Sequence, residues 1–193
     1  MSLAVIPFAF FDYYSQPAYW HPQTFLSIPV GIEGALFGFS FGGVASVLHS
    51  AGTNKNNPAR RRINPGNIIA VSPVLIIAVG FYVLFDINMM ISLPLGLLAG
   101  CLLIINIRPD LTKKLLNSGI YFGVLYLLVL SLWLLLFPQA RQWWDLRIYG
   151  NITVLNVPLG EALFGFLFSA FWGVLNEFIF GDRLENIKGK TIS

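Results

Sequence analysis

Charge is scarce in this 193-residue chain: Asp, Glu, Lys and Arg together make up 11% of it, against about 25% in soluble globular proteins. Apolar residues account for 56%, and mean hydropathy is +0.71. One soluble core could not hide that much apolar surface, which excludes a cytosolic enzyme and a disordered chain and leaves an integral membrane protein. The single cysteine, Cys101, allows no internal disulfide, and in its apolar run it reads as a packing residue. With only His21 and His49, expected on opposite sides of the membrane, no metal-ligand cluster follows. Magnesium-binding Asp-rich motifs, G-x-G-x-x-G and the Walker A pattern are also missing. The G-F-S-F-G run at 38–42 lies inside an apolar helix and lacks the strand–turn–helix setting of a nucleophile elbow. Residues 3–11 have neither a basic flank before them nor a small-residue cleavage site after them, so they do not read as a secretory signal.

What is present is long apolar runs. A spanning helix needs about 20 mostly apolar residues, and five segments qualify: 29–48, 68–85, 89–107, 115–137 and 158–180. Residues 3–11 are too short to span and read as the second half of a helix whose first half is absent from this chain. The expected architecture is all-α: one transmembrane domain over residues 1–193, with five full spans and an N-terminal half-span. Basic residues orient it. Lys55, Arg60, Arg61, Arg62, Arg108, Lys113, Lys114, Arg183, Lys188 and Lys190 fall on one side, and Arg141 and Arg147 on the other. Lys and Arg accumulate on the cytoplasmic side, so the 49–67 loop, the 108–114 loop and the C-terminus are expected there, in a prokaryotic cell membrane. The run 59–62 is explained as a topology determinant, with anionic headgroups as the other reading, and no nucleic-acid partner is implied. The opposite loops are aromatic, with Tyr13, Tyr14, Tyr19 and Trp20 in one and Trp143, Trp144 and Tyr149 in the other. They form either an interfacial anchoring belt or a lid over a lipid-accessible cavity.

The chain repeats itself. Residues 35–41 read A-L-F-G-F-S-F and residues 162–168 read A-L-F-G-F-L-F. The related segments, 12–48 and 138–180, run in the same direction, and such parallel repeats place sites at their interface. Small residues recur every fourth position (Gly34, Gly38, Gly42, Ser46; Gly165, Ser169, Gly173), as in closely packed membrane helices. Glu161 aligns with Gly34 and Glu33 with Gly160. The two helices are therefore expected to face each other, each glycine leaving space for the partner's carboxylate. Ionisable groups inside spans are functional candidates by default. Glu33 and Glu161 could share one proton as an acid–base pair, or each could cap its helix start. Glu177 is expected in an ion pair at the inner end, Asp86 in an interfacial turn, and Asn88, Asn106 and Asn176 in hydrogen bonds between helices.

These motifs resemble the lycopene cyclase domain family, the membrane-embedded heterodimeric or fused type of carotenoid cyclase. The likeness rests on Trp143-Trp144, then Pro158-Leu159-Gly160-Glu161 with Phe164, and on Arg108-Pro109-Asp110-Leu111. Tyr19-Trp20-His21-Pro22 and Gly31-Ile32-Glu33-Gly34 resemble the family's first copy. The family pairs two glutamates in each copy; here each copy keeps one. The family also carries a longer N-terminal helical segment. The resemblance implies a redox-neutral isomerase, or intramolecular lyase, that needs no cofactor. A carboxylic acid protonates the terminal double bond of a linear polyene such as lycopene, a neighbouring double bond attacks the cation, and a base removes a proton. Glu161 is the implied acid and Glu33 its partner. Phe37, Phe39, Phe164, Phe166 and Trp172 could shield the cation. The implied partners are an apolar isoprenoid from the bilayer, membrane lipid, and a further copy or a related subunit. Two other functions are weighed: a non-catalytic relative or subunit that binds or scaffolds isoprenoids, and a small transporter, against which stand the inner halves of the first and last spans, apolar or small apart from Ser46 and Glu177.

Overall fold

Inside a bilayer every backbone polar group must be satisfied within the chain, and a helix does this segment by segment. The computed structural model describes residues 2–5, 19–21, 32–48 and 72–180, and these are mostly helical. The helices are α1 (Ser2–Val5), α2 (Ile32–Val47), α3 (Ser72–Phe85), α4 (Met89–Ile107), α5 (Thr112–Leu136) and α6 (Leu159–Phe180). Between α5 and α6 lie two 3₁₀ turns, Pro138–Trp143 and Leu146–Tyr149, and a hairpin of β1 (Thr153–Val154) and β2 (Val157–Pro158).

Among the described residues, three helical stretches are long and apolar enough to cross a membrane: Met89–Ile107, Pro109–Leu136 and Leu159–Phe180. They coincide with three of the five expected spans. The other two are represented by α2, with 16 residues, and α3, with 14. At 1.5 Å per residue these reach about 24 and 21 Å, short of a hydrocarbon core of about 30 Å. Residues 29–31 and 68–71, which the sequence adds to them, lie outside the described residues. So do residues 6–11 of the expected half-span, 12–18 and 22–31 of the first repeat, His49, and the basic 49–67 loop and C-terminus.

Helix α6 is the centre of the bundle and packs against α5, α4 and α2. Its small-residue stripe faces α5. Ser118 and Ser169 are fully buried and bond reciprocally: Ser118 Oγ donates to the Ser169 carbonyl at 3.0 Å, and Ser169 Oγ to the Ser118 carbonyl at 2.9 Å. One turn on, a Cβ on Gly173 would stand 1.9 Å from Ser118 Oγ, so only glycine permits this approach. The outer face of α5 (Leu116, Ile120, Val124, Leu128, Leu132, Leu135) is exposed and apolar, as a lipid-facing surface must be. Cys101 is buried in the core, in the packing role expected of it.

Helices α3 and α4 meet through a G-x-x-x-G pair that the repeat analysis passed over. A Cβ on Gly96 would lie 2.5 Å from the Val74 carbonyl, and one on Gly100 2.5 Å from Val74 Cγ2. Small residues four apart let backbones approach this closely.

The stripe on α2 serves a different partner from the one expected. Gly42 receives Val5 of α1, with Trp172 of α6 on its flank, and Gly38 lies against Val5 as well. Helix α2 still meets α6, through Phe41, which stacks on Phe164 at 5.6 Å and touches Phe168 at 4.9 Å. Polar groups sort to the ends. Lys114 pairs with Glu177 at one end, the ion pair expected for Glu177, and Arg108 pairs with Asp110 at 2.7 Å beside it. Asp86 sits in the exposed α3–α4 turn. Asn88 does not bridge helices: it caps α4, its side chain accepting from Met90 N at 2.9 Å.

Candidate active site around Glu161

Glu161 stands in the first turn of α6, at the end of the bundle away from Lys114 and Glu177. Both carboxyl oxygens are engaged. Tyr126 Oη hydrogen-bonds Oε2 at 2.7 Å, and Trp144 Nε1 donates to Oε1 at 3.0 Å. An indole N–H only donates, so Oε1 is held as an acceptor. A proton on this carboxyl therefore belongs on Oε2, facing the Tyr126 hydroxyl, which can also accept.

The two positioning residues are themselves placed by packing. Tyr126 lies over Gly165, where a Cβ would come within 2.5 Å of its ring. It is one turn beyond Phe122 on α5, and both rings meet Phe41 edge-on, at 5.1 and 4.6 Å. Trp144 is set by an antiparallel backbone bridge with Trp20. His21 N donates to the Trp143 carbonyl at 2.7 Å and Asp145 N to the Tyr19 carbonyl at 2.8 Å. The Trp20 and Trp144 rings lie 4.4 Å apart. Residues 19–21 and the aromatic segment around Trp143 and Trp144 thus pair with each other directly above Glu161.

Below the bridge, Asp145 accepts from Arg147 N at 3.0 Å and pairs with its guanidinium at 2.7 Å. The Arg147 hydrogen bonds hold the Asp145 carboxyl down at about 2. Tyr19 is buried, and its hydroxyl has no hydrogen-bond partner among the described residues. Burial first, and then the neighbouring Glu161 carboxyl, pushes its phenol well above the usual range. The same two causes, in the same order, push the Tyr149 phenol up to about 12.

Gly160 corrects one expectation. The space it leaves is taken not by a carboxylate but by the Tyr149 ring, 2.5 Å from where a Cβ would stand, and by the Tyr19 hydroxyl, 2.9 Å away. Glu33, the other candidate, lies half-buried in the first turn of α2. Of the aromatics singled out, Phe164 and Trp172 join Phe168 in one column descending α6 from Glu161, with centroid spacings of 5.6 and 5.5 Å. Phe166 packs over Gly119 and Gly123 of α5, Phe37 stacks on Phe41 at 5.0 Å, and Phe39 is exposed. Sequence reasoning passed over Tyr126 and Phe41. The available signal was the i, i+4 pair Phe122 and Tyr126, which brings the one hydroxyl of that pair to the height of Glu161.

One further anchor comes from Pro94. Inside α4 it has no N–H to give Met90 four residues back, and the freed Met90 carbonyl accepts the Tyr149 hydroxyl. The loop above Glu161 is therefore tied to α4 through a helix defect. We expect Tyr149→Phe to destabilise the protein by about 1 kcal/mol, because the carbonyl loses its partner. In a Pro94→Ala background the helix supplies an N–H, and the same change should cost much less. Thermal unfolding of the four proteins in detergent measures this; equal costs in the two backgrounds would refute the assignment.

Such an arrangement, a half-buried carboxyl held by a tyrosine and a tryptophan at one end of a lipid-facing helical bundle, defines a membrane protein with an ionisable group set among aromatic rings. Residues 88–179 match the family model described as lycopene cyclase, and this part of the chain belongs to the lycopene cyclase domain family. The match takes in all three spanning-length helices and Tyr126, Trp144 and Glu161; Glu33 lies outside it. No curated protein and no solved structure matches the chain.

Proposed function

We propose that the chain is a carotenoid cyclase that closes a ring at the end of a linear polyene without redox change. Glu161 is the acid. Its Oε2 proton passes to the terminal double bond, leaving a tertiary cation. A neighbouring double bond attacks that cation to form the ring, and loss of a proton from the ring restores neutrality. One proton enters and one leaves, so no co-reactant is consumed. The observation that carries this reading is the pair of hydrogen bonds to Glu161. Tyr126 and Trp144 aim the carboxyl, with no adjacent cation among the described residues to hold it ionised, which suits an acid that must keep its proton until substrate arrives.

The column Phe164, Phe168 and Trp172, with Phe41 across from it, offers ring faces to a developing cation. Glu33 is the proposed partner that takes up the released proton, carried by α2, which meets α6 through Phe41. The α2–α6 contact and the Trp20–Trp144 bridge support a parallel repeat, and the polar ends of the helices suit five spans with Lys114 and the other basic residues at the cytoplasm of a prokaryotic cell. The substrate reaches the site from the bilayer.

Expression in a lycopene-accumulating bacterial host tests the reading. Ring-bearing pigment should appear on chromatography. Unchanged lycopene, from protein shown to be folded in the membrane, would overturn it in favour of a non-catalytic isoprenoid-binding relative.

A further inference from the structure

The hairpin that leads into α6 is built against its own backbone. Thr153 pairs with Pro158 and Val154 with Val157, so Leu155 and Asn156 form a two-residue turn. Their φ angles are 51° and 68°, the geometry in which asparagine and glycine are favoured at both positions. Asn156 suits it. Leu155 does not, because a bulky side chain at positive φ is strained. Packing does not explain the leucine, since its side chain is 60% exposed. Ile152 and Val154 beside it are 55% and 39% exposed. Val157 and Pro158, by contrast, are buried against the bundle.

Two observations say what covers this tip. Trp20, Trp133, Trp143 and Trp144 cluster next to it, at the ends of the long helices, where amphipathic aromatics mark the headgroup level. Arg141, bonded to Asn156 Oδ1 at 3.1 Å, rims the hairpin. An apolar tip with a cationic rim is the pattern of a segment lying in the membrane interface.

We propose that Ile152, Val154 and Leu155 form a wedge inserted at the boundary between lipid headgroups and acyl chains, with Arg141 meeting the lipid phosphates. The wedge is coupled rigidly to the site: Leu159 N donates to the Ile152 carbonyl at 3.0 Å, and Glu161 follows two residues later. It therefore sets the depth at which the carboxyl sits, near the membrane surface, where the end of a long apolar ligand is presented rather than its middle. The insertion itself is independent of the cyclase reading.

The experiment uses the full chain in phosphatidylcholine and phosphatidylglycerol vesicles. Cys101→Ser removes the only thiol, and Leu155→Cys places an environment-sensitive fluorophore at the tip. Lipids brominated at a shallow acyl position should quench it at least roughly twofold more than aqueous iodide does, as for a segment buried at the boundary. Solvent-like emission quenched by iodide would overturn the proposal. So would a signal that follows the protein-to-lipid ratio, which would put a second copy there instead. A second variant separates insertion from folding. Leu155→Asn suits the turn while removing the apolar tip, so a probe at Thr153→Cys should become accessible to iodide while helical content is unchanged. Continued protection of that probe would count against the wedge.

Discussion

Glu161→Gln should abolish ring formation while the protein still folds and inserts. The amide is nearly isosteric. Its oxygen can accept from Trp144 Nε1 at the place of Oε1, and its NH₂ can donate to the Tyr126 hydroxyl, so both hydrogen bonds at 3.0 and 2.7 Å have successors. Only the transferable proton is lost. General acid catalysis contributes about 10²- to 10⁴-fold, and a polyene offers no other basic site to activate, so product should fall to background. The check is pigment extraction from the lycopene-accumulating host alongside the wild-type chain, with membrane-fraction protein measured in both. Ring-bearing pigment undiminished in the variant would remove Glu161 from the chemistry and leave it as a helix-start residue held by two aromatic donors.

The parts legible in the sequence and those that were not divide along a physical line. The runs 89–107 and 158–180 are readable because a spanning helix must be continuously apolar whatever it packs on. The observed bounds, Met89–Ile107 and Leu159–Phe180, agree with them. Even Pro94 does not interrupt the first, since a membrane helix tolerates a proline when another group takes the freed carbonyl, and here Tyr149 does. Rotation about each helix axis is a different matter. A helix that is apolar all round carries almost no amphipathic signal, so nothing in the order of residues says that Gly42 turns to Val5 as well as to α6, or that Tyr126 points at Glu161. The expectation for Gly160 failed for a related reason. Tyr19 and Tyr149 come from irregular loops, whose positions depend on a single backbone bridge and on the Met90 carbonyl, and loops have no periodicity to read. Glu161 itself was visible because a carboxyl in an apolar run is costly enough to demand a reason.

If Glu161 is the acid proposed above, the stripe of small residues on α6 has a chemical role besides packing, and Gly165→Ala tests it. A Cβ there would stand 2.5 Å from Tyr126 Cδ1 and 3.2 Å from Cε1 and Cγ. The ring cannot simply slide away, because Phe41 stands edge-on to it at 5.1 Å and Phe122 stacks at 6.1 Å. Either the ring tilts or α5 and α6 separate, and overpacking of this kind costs about 1–3 kcal/mol. Both adjustments carry the Tyr126 hydroxyl away from Oε2. A displacement near 1 Å at a reacting group can cost about 100-fold in rate, so turnover per folded molecule should drop by roughly 10- to 100-fold. Tyr126→Phe removes the same hydrogen bond without crowding, and it should lower turnover with little loss of thermal stability. The decisive comparison is the double variant. If Gly165 acts on the chemistry through the Tyr126 hydroxyl, adding Gly165→Ala to Tyr126→Phe should lower stability again but turnover hardly at all, since two changes to one unit are not additive. Turnover losses that multiply in the double variant would mean that Gly165 supports the site by some route other than Tyr126. A Gly165→Ala protein with wild-type turnover would show that the hydroxyl does not position Glu161.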